Sequence, residues 1–555
     1  MRPGGGGRYA AVMATVDRVP AHRTHEVTNQ PPPLQGYDLF GEDTVLRESV
    51  AREGGEWGLE RLGAFGRTVG GEPLRLGPLA DRNPPVLRTH DRFGHRVDEV
   101  EFHPAWTSLL RLGIEAGIPS LPWREPRPGA HVVRGALLML LSQAESGVSC
   151  PLSMTYAAIP AIRHAPELAA SWEPRLVEPD PDRSALCGMA MTEKQGGSDV
   201  RANTTRAERT ADGYLLTGHK WFCSHPACDA FLVLAQAPGG LSCFLLPRLL
   251  PGGERNNFFI QRLKDKLGTR ALASSEVEFD GATAWLVGEE GRGLSTILEM
   301  VNHTRLDCVL GSAAGMRRAV AEATHHAAYR SAFGARLIEQ PLMTNVLADL
   351  CVESEAATLL AIRLARAFEP GAEPAFQRVA TAVAKYWVCK RVTPVVAEAL
   401  ECLGGNGFVE ESPMPRLYRD SPLNSIWEGS GNVIALDVLR ALARDPGTAD
   451  ALFDEVALAT GADERLDSAL AAAKETVARQ ATRPPGDVEY VARRVAEKLG
   501  VLLQASLVVR HSPPAVAEAF LATRLSRSGG LAFGTLPRGI DCDSIVDRHR
   551  PRMVA

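Results

Sequence analysis

At 555 residues the chain exceeds the roughly 250–300 residues at which one hydrophobic core stops growing, so several domains are expected. Its 45% hydrophobic and 23% charged residues are those of an ordinary globular protein, and a formal net charge of -5 exerts no overall pull on polyanions, so any nucleic-acid contact needs a local patch. The 10 cysteines lack the C-x2-C spacing of a structural zinc site, no apolar run reaches about 18 residues, and the N-terminus lacks signal-peptide order; together these predict a reducing, cytoplasmic setting without membrane contact.

Residues 1–24, with the run from Gly4 to Gly7, read as a flexible tail, and Met13 is a second candidate start. From residue 43 to 168 apolar residues recur at helical spacing, as in Val133, Leu137, Leu140 and Leu141, with Pro-rich joints such as residues 122–128. Residues 25–184 therefore read as an N-terminal helical domain, closed by a solvated connection over 173–184. Short apolar or alternating runs follow at 214–217, 230–236, 241–247 and 276–279, punctuated by Asp212-Gly213 and Gly239-Gly240. That spacing predicts a small antiparallel barrel or sandwich over 185–292. Long Ala-rich helical runs then predict a bundle over 293–445, and residues 446–555 read as an extra helical block broken at Pro484-Pro485 and Pro513-Pro514. The predicted class is α+β, mostly α.

Five segments offer chemistry. In the first, residues 189–199, two glycines let a flat polar ligand approach the backbone while Thr192 and Ser198 donate hydrogen bonds, although an ordinary Gly-rich turn reads the same. In the second, Trp221-Phe222-Cys223-Ser224, a strand aromatic could lie against a flavin ring with the Ser224 hydroxyl on a heteroatom, or could be plain core. The third places Arg330 and Phe333 at a helix end ahead of Gln340; the arginine suits a pyrophosphate or a helix C-cap equally. In the fourth, Gly404, Gly405 and Gly407 follow a helix within four residues, more glycine than a C-cap needs. In the fifth, Trp427-Glu428-Gly429-Ser430, a carboxylate beside an indole could be desolvated into a general base, where a lone turn glutamate is usually solvated. The adjacent His325 and His326 diverge on a helix, so no metal centre is expected.

In this order across a sheet-to-helix change, the five segments resemble the acyl-CoA dehydrogenase superfamily. Met191 to Val200 is similar to its TE-x-x-x-GSD segment, Trp221 to Ser224 to its W-I-T/S segment, whose aromatic aligns best with Phe222, and Arg330 to Gln340 to its R-x-x-FG…Q stretch. Gly404 to Phe408 is similar to its GGNGF loop, and residues 426–432 to its base-bearing I-Y-E-G-T segment. His25 to Pro31, Asn83-Pro84-Pro85, Phe102 to Trp106, Leu263 to Gly268 and Asn424 to Asn432 resemble the AidB branch, associated with the bacterial adaptive response to DNA alkylation. The resemblance implies FAD held by Met191, Thr192, Gly197, Ser198, Phe222, Cys223, Ser224, Gly404, Gly405, Trp427, Gly429, Ser430 and Asn432, with Arg330, Phe333 and Gln340 reaching the FAD of a neighbouring subunit of a homotetramer. It also implies Glu428 as catalytic base, since the alternative family position falls on Thr304, and weak, isovaleryl-CoA-like acyl-CoA dehydrogenase activity. Double-stranded DNA is the implied partner of the C-terminal part, with Arg440, Arg444, Arg493, Arg494 and Lys498 as candidate contacts among basic residues that extend through Arg510, Arg524, Arg527 and Arg538 to Arg548, Arg550 and Arg552. Interleaved acids make a solvated helical surface the competing reading. A metabolic acyl-CoA dehydrogenase or flavin oxidase without a DNA role is the alternative function.

Overall fold

The computed structural model describes residues 24–553 apart from 372, 445, 481, 482 and 527. The tail before residue 24, with Gly4, Gly7 and Met13, and the candidate DNA contact Arg527 lie outside the described residues.

The N-terminal region is helical, and its two central helices, Ala130–Ala144 and Ser149–Ile162, are buried nearly all round. A helix apolar on every face belongs at the centre of a large fold. Contrary to the purely helical expectation, an antiparallel hairpin interrupts this region: β1 (Val86–His90) pairs with β2 (Arg96–Glu101). Asp91 nucleates its turn by accepting the Phe93 and His95 amides at 2.8 and 2.9 Å.

Seven strands follow: β3 (Cys187–Ala190), β4 (Arg206–Arg209), β5 (Tyr214–Ser224), β6 (Ala230–Ala237), β7 (Gly240–Pro247), β8 (Phe258–Leu263) and β9 (Ser274–Val287). Strands β6, β4, β5, β9 and β7 pair in a ring that closes through β7 and β6, while β3 and β8 flank β6 and β9. The barrel is not wholly antiparallel, because β3 and β4 both run parallel to β6. Asp98 of β2 docks the hairpin on the barrel by taking the Ile260 amide of β8 and the Arg255 guanidinium.

The bundle is built on Gly293–Tyr329, Pro341–Arg366 and Pro374–Cys402. A buried two-bond pair between Arg134 and Asp307 ties it to the N-terminal helices. Among the described residues no helix is long and apolar enough to cross a membrane. A short hairpin, β10 (Ser331–Ala332) with β11 (Ala335–Arg336), caps the far end of the long helix.

The C-terminal block includes Pro446–Ala457, Glu464–Gln480, Ala492–His511 and Cys542–His549. It is clamped to the bundle by buried charge: Arg524 meets Asp349 and Glu353, Arg548 and His549 meet Glu355, and Arg363 and Arg510 share Glu455. Gly500 lets Ala492–His511 approach the bundle, since a Cβ there would stand 2.7 Å from the Trp387 Cβ.

Candidate functional site

The five motif segments fall into two groups set apart along the bundle. The first surrounds Glu428, where barrel meets helices. A 3-10 turn, Leu423–Ser425, delivers Trp427, whose indole N–H donates to Asn424 at 2.9 Å. Glu428 then adopts φ +58° and Gly429 φ +108°. The residue is partly exposed overall, but its Oε2 is sealed from solvent and accepts no hydrogen bond. Burial pushes this carboxyl above its ordinary range, against the opposing pull of Thr304, Arg305 and Lys385. Thr304 donates to Val301 at 3.1 Å and carries no acid function.

Facing it is the end of β5. Strand alternation leaves Phe222 exposed and Ser224 half-buried and buries the Cys223 side chain between them, with burial pushing its thiol up to about 12. With its side chain buried, Cys223 faces a ligand through its backbone, whose carbonyl accepts from Ser275 at 3.0 Å. Cys150 links the two walls: burial holds its thiol up to about 12 while it bonds to Ser224 and sits in the field of Lys266, Glu428 and Glu145.

The loop carrying Met191, Thr192, Gly197 and Ser198 follows β3, and its ordering comes from a residue the sequence reading passed over. Glu193 and Lys220 are completely buried and bonded at 2.7 Å. Glu193 also accepts from Gln195 at 2.7 Å and from the Thr204 and Thr205 amides at 2.7 and 3.2 Å. Burial raises its carboxyl, but Lys220 and these donors outweigh that and hold it at about 2. Thr192 accepts the Trp221 amide at 2.8 Å, fastening the loop to β5 with Thr192 half-buried and Ser198 exposed.

Two further groups here were missed. Burial pushes Glu145 up to about 7, with its Oε1 unpartnered, and brings Lys266 down to about 8. Glu145 stands at a helix end outside the five segments, and Lys266 lies in the Leu263 to Gly268 stretch, where nothing marked it as a site residue.

On the other side of Glu428, Ser430 and Asn432 are exposed at the start of Gly431–Arg444, and Asn432 accepts from Arg493 of the C-terminal block at 2.7 Å. Arg440 and Arg444 on this helix, and Arg493 and Arg494 on Ala492–His511, are exposed and make no ion pair with a described residue. Lys498 differs: it is half-buried and donates to Ala472 and Thr476 at 2.8 and 3.0 Å. Arg510, Arg524 and Arg548 are engaged by the clamps described above, and Arg550 and Arg552 by Asp547.

The second group lies at the far end of the long helix. Arg330 donates to Asn29 at 2.7 Å, Gln340 donates to Ala332 at 2.7 Å, and Phe333 projects fully into solvent. Space is open around both Gly404 and Gly405, and the neighbouring Asn406 reaches Gln30 at 3.1 Å. Arg305, beside Glu428, and Arg330 are 25 residues apart on one helix, about 37 Å at 1.5 Å per residue. In a single chain the two groups are thus too distant to hold one small ligand.

A family model described as the adaptive response protein AidB N-terminal domain matches residues 29–183, and models of the acyl-CoA dehydrogenase middle and C-terminal domains match 188–282 and 291–443. The sequence is 45% identical to AidB of Escherichia coli (strain K12) over 92% of this chain and 96% of that protein. It is 31% identical to acyl-CoA dehydrogenase family member 11 of Caenorhabditis elegans over 86% of this chain and 84% of that one. The crystal structure of Caenorhabditis elegans ACDH-11 in complex with C11-CoA superposes with a TM-score of 0.82 at 29% identity, covering 92% of this chain and 94% of that one.

Proposed function

This chain belongs to the AidB branch of the acyl-CoA dehydrogenase family, oxidoreductases acting on CH–CH donors, and on that premise we propose that it holds FAD between barrel and bundle and oxidises an acyl-CoA thioester with Glu428 as base. The observation that carries this reading is the Glu428 carboxyl: sealed, raised by burial and with one oxygen unpartnered, it has the properties of a group waiting for a proton.

The residues fit FAD. Phe222 and Ser224 offer an open aromatic and a hydroxyl on one strand face, Thr192 and Ser198 stand on a loop fixed by Glu193, and Ser430 and Asn432 open a helix of 14 residues. Gly404 and Gly405 leave room that a side chain would take, and with Arg330, Phe333 and Gln340 they would serve the FAD of another copy, being far from Glu428 in their own chain. When bound, FAD supplies the acceptor for the hydride leaving the β-carbon of the substrate. Glu428 Oε2, which is sealed from solvent, removes the α-proton, and Thr304 lies against the carboxylate. The exposed apolar side chains of Phe333, Leu342, Phe408 and Val27 cluster around the second group, which supports a homotetramer assembled there.

Glu428→Gln is expected to keep the bound yellow flavin and lose thioester-dependent bleaching under anaerobic conditions; undiminished bleaching overturns the assignment. A second reading concerns double-stranded DNA. It is favoured by Arg440, Arg444, Arg493 and Arg494, exposed cations not engaged by carboxylates, which would neutralise phosphates and give salt-dependent binding in a protective role during alkylation stress. Duplex titration of the Arg440→Ala/Arg444→Ala protein tests it, with unchanged affinity counting against it.

A further inference from the structure

The turn presenting Glu428 does not hold its shape unaided. Two successive residues have positive φ, and one of them carries a side chain that disfavours the left-handed region. Two buried cations grip it. Arg305 Nε donates to the Glu428 carbonyl at 3.0 Å, and Lys385 Nζ donates to the Gly429 carbonyl at 2.5 Å. Arg305 is itself fixed by Asp437 at 2.9 Å, and Asp437 also takes Arg378. Lys385 is different. It is 1% exposed, sits among alanines and valines in the middle of Pro374–Cys402, and has no carboxylate within ion-pair distance among the described residues.

A buried ammonium is costly unless it is paired or hydrogen-bonded. Here its hydrogen bond goes to the peptide following the catalytic carboxyl. Because the peptide is planar and trans, drawing the Glu428 and Gly429 carbonyls toward the bundle turns the N–H groups of Gly429 and Ser430 the opposite way. The backbone orientation of the whole turn is therefore set from beneath.

Resting on the assignment of Glu428 as base, we infer that Lys385 is a positioning residue for it: its ammonium locks the Gly429 carbonyl, as Arg305 locks the preceding one, and so fixes where the carboxyl stands when it takes the α-proton. Its charge acts on the same group. Around Glu428 stand Thr304 and Arg305 from the long helix, Lys385 from Pro374–Cys402 and the thiols of Cys150 and Cys308, and Lys385 is one of the groups drawing the carboxyl back toward its ionised form.

The test uses the full-length flavoprotein and the variants Lys385→Met, Lys385→Gln, Lys385→Arg and Glu428→Gln, with melting temperature as the folding control. Two quantities are read: the limiting rate of anaerobic flavin reduction by isovaleryl-CoA, and, in flavin-free protein, the infrared pH titration of the carboxyl band that disappears in Glu428→Gln. Lys385→Met is expected to slow reduction about 10- to 100-fold, as a misplaced group does, with half-saturation changed less than about threefold. It should also move the carboxyl titration upward by about one pH unit, the effect of losing a nearby opposite charge. Lys385→Arg should recover part of both. If Lys385→Met does not fold, Lys385→Gln is read in its place, with both changes again expected. A folded Met or Gln variant in which either quantity matches the wild type overturns the inference, as does a slowing that Lys385→Arg leaves unrelieved. Undiminished reduction in Glu428→Gln instead removes the base assignment itself, so the two failures are distinguishable.

Discussion

Replacing Lys220 by Met removes the cation paired with a carboxylate that has no access to water. Glu193 and Lys220 are both 0% exposed, and Glu193 would keep only the amides of Thr204 and Thr205, the Thr204 hydroxyl and Gln195. Breaking a buried pair from one side costs about 3–5 kcal/mol, because the remaining charge is left uncompensated. For a unit the size of the barrel, at about 4–8 °C per kcal/mol, that lowers its melting temperature by about 12 °C or more. Since Glu193 orders the loop that follows β3, flavin should be released over the same interval, so calorimetry and flavin fluorescence should move together. The double change Glu193→Gln/Lys220→Met removes both charges and should recover more than half of the loss. A single variant melting within about 2 °C of the parent, or a double variant no better than the single, would refute the reasoning. The sign with pH also follows: Glu193 is held at about 2 against an ordinary 4.5, so its stabilisation is complete above about pH 4.5 and is lost as pH falls toward 2.

Three further outcomes are expected. Gly500→Ala drives a methyl into Trp387 and should destabilise the docking of the C-terminal block by about 1–3 kcal/mol, read as earlier proteolysis after residue 445; an unchanged cleavage rate contradicts the packing. Burial raises Glu353, but Arg391 and Arg524 outweigh it and hold its carboxyl at about 2, so acidification from about pH 4.5 downward should loosen the same block, and a digestion pattern constant to pH 3 would contradict this. Arg493→Ala deletes the bond to Asn432 and an exposed cation, and should weaken duplex DNA binding while flattening its salt dependence by about one unit of slope; identical slopes argue against contact there.

The order of helices, barrel, bundle and extra block was legible because long amphipathic and short alternating periods differ strongly over tens of residues. The β1–β2 hairpin was not. Its residues alternate exposed and half-buried, with Arg88, Thr89, Glu99 and Glu101 among them, so the apolar signal that marks a strand is weak, and only Asp91 and Gly94 at the turn betray it. At the site, Glu428 was readable from its glycine-rich surroundings. That Cys223 is buried while Phe222 is exposed was not legible, because a motif names consecutive residues whereas a strand turns every second one inward. Glu193, Arg305 and Lys385 act through partners 27 to 123 positions away, a separation that no local pattern encodes. The mixed fate of the C-terminal basic residues has the same origin: Arg524 and Arg494 look alike in sequence, and only the acidic row on Pro341–Arg366 distinguishes the buried clamp from the free cation.

The 37-residue helix from Gly293 to Tyr329 passes Glu428 at Arg305, about a third of the way along, and ends beside Arg330. If, as proposed, each copy completes its neighbour's prosthetic-group pocket rather than its own, occupancy becomes a collective property. Dilution that parts the copies should bleach the protein even with its chemistry intact, and added dinucleotide should draw the copies back together by mass action.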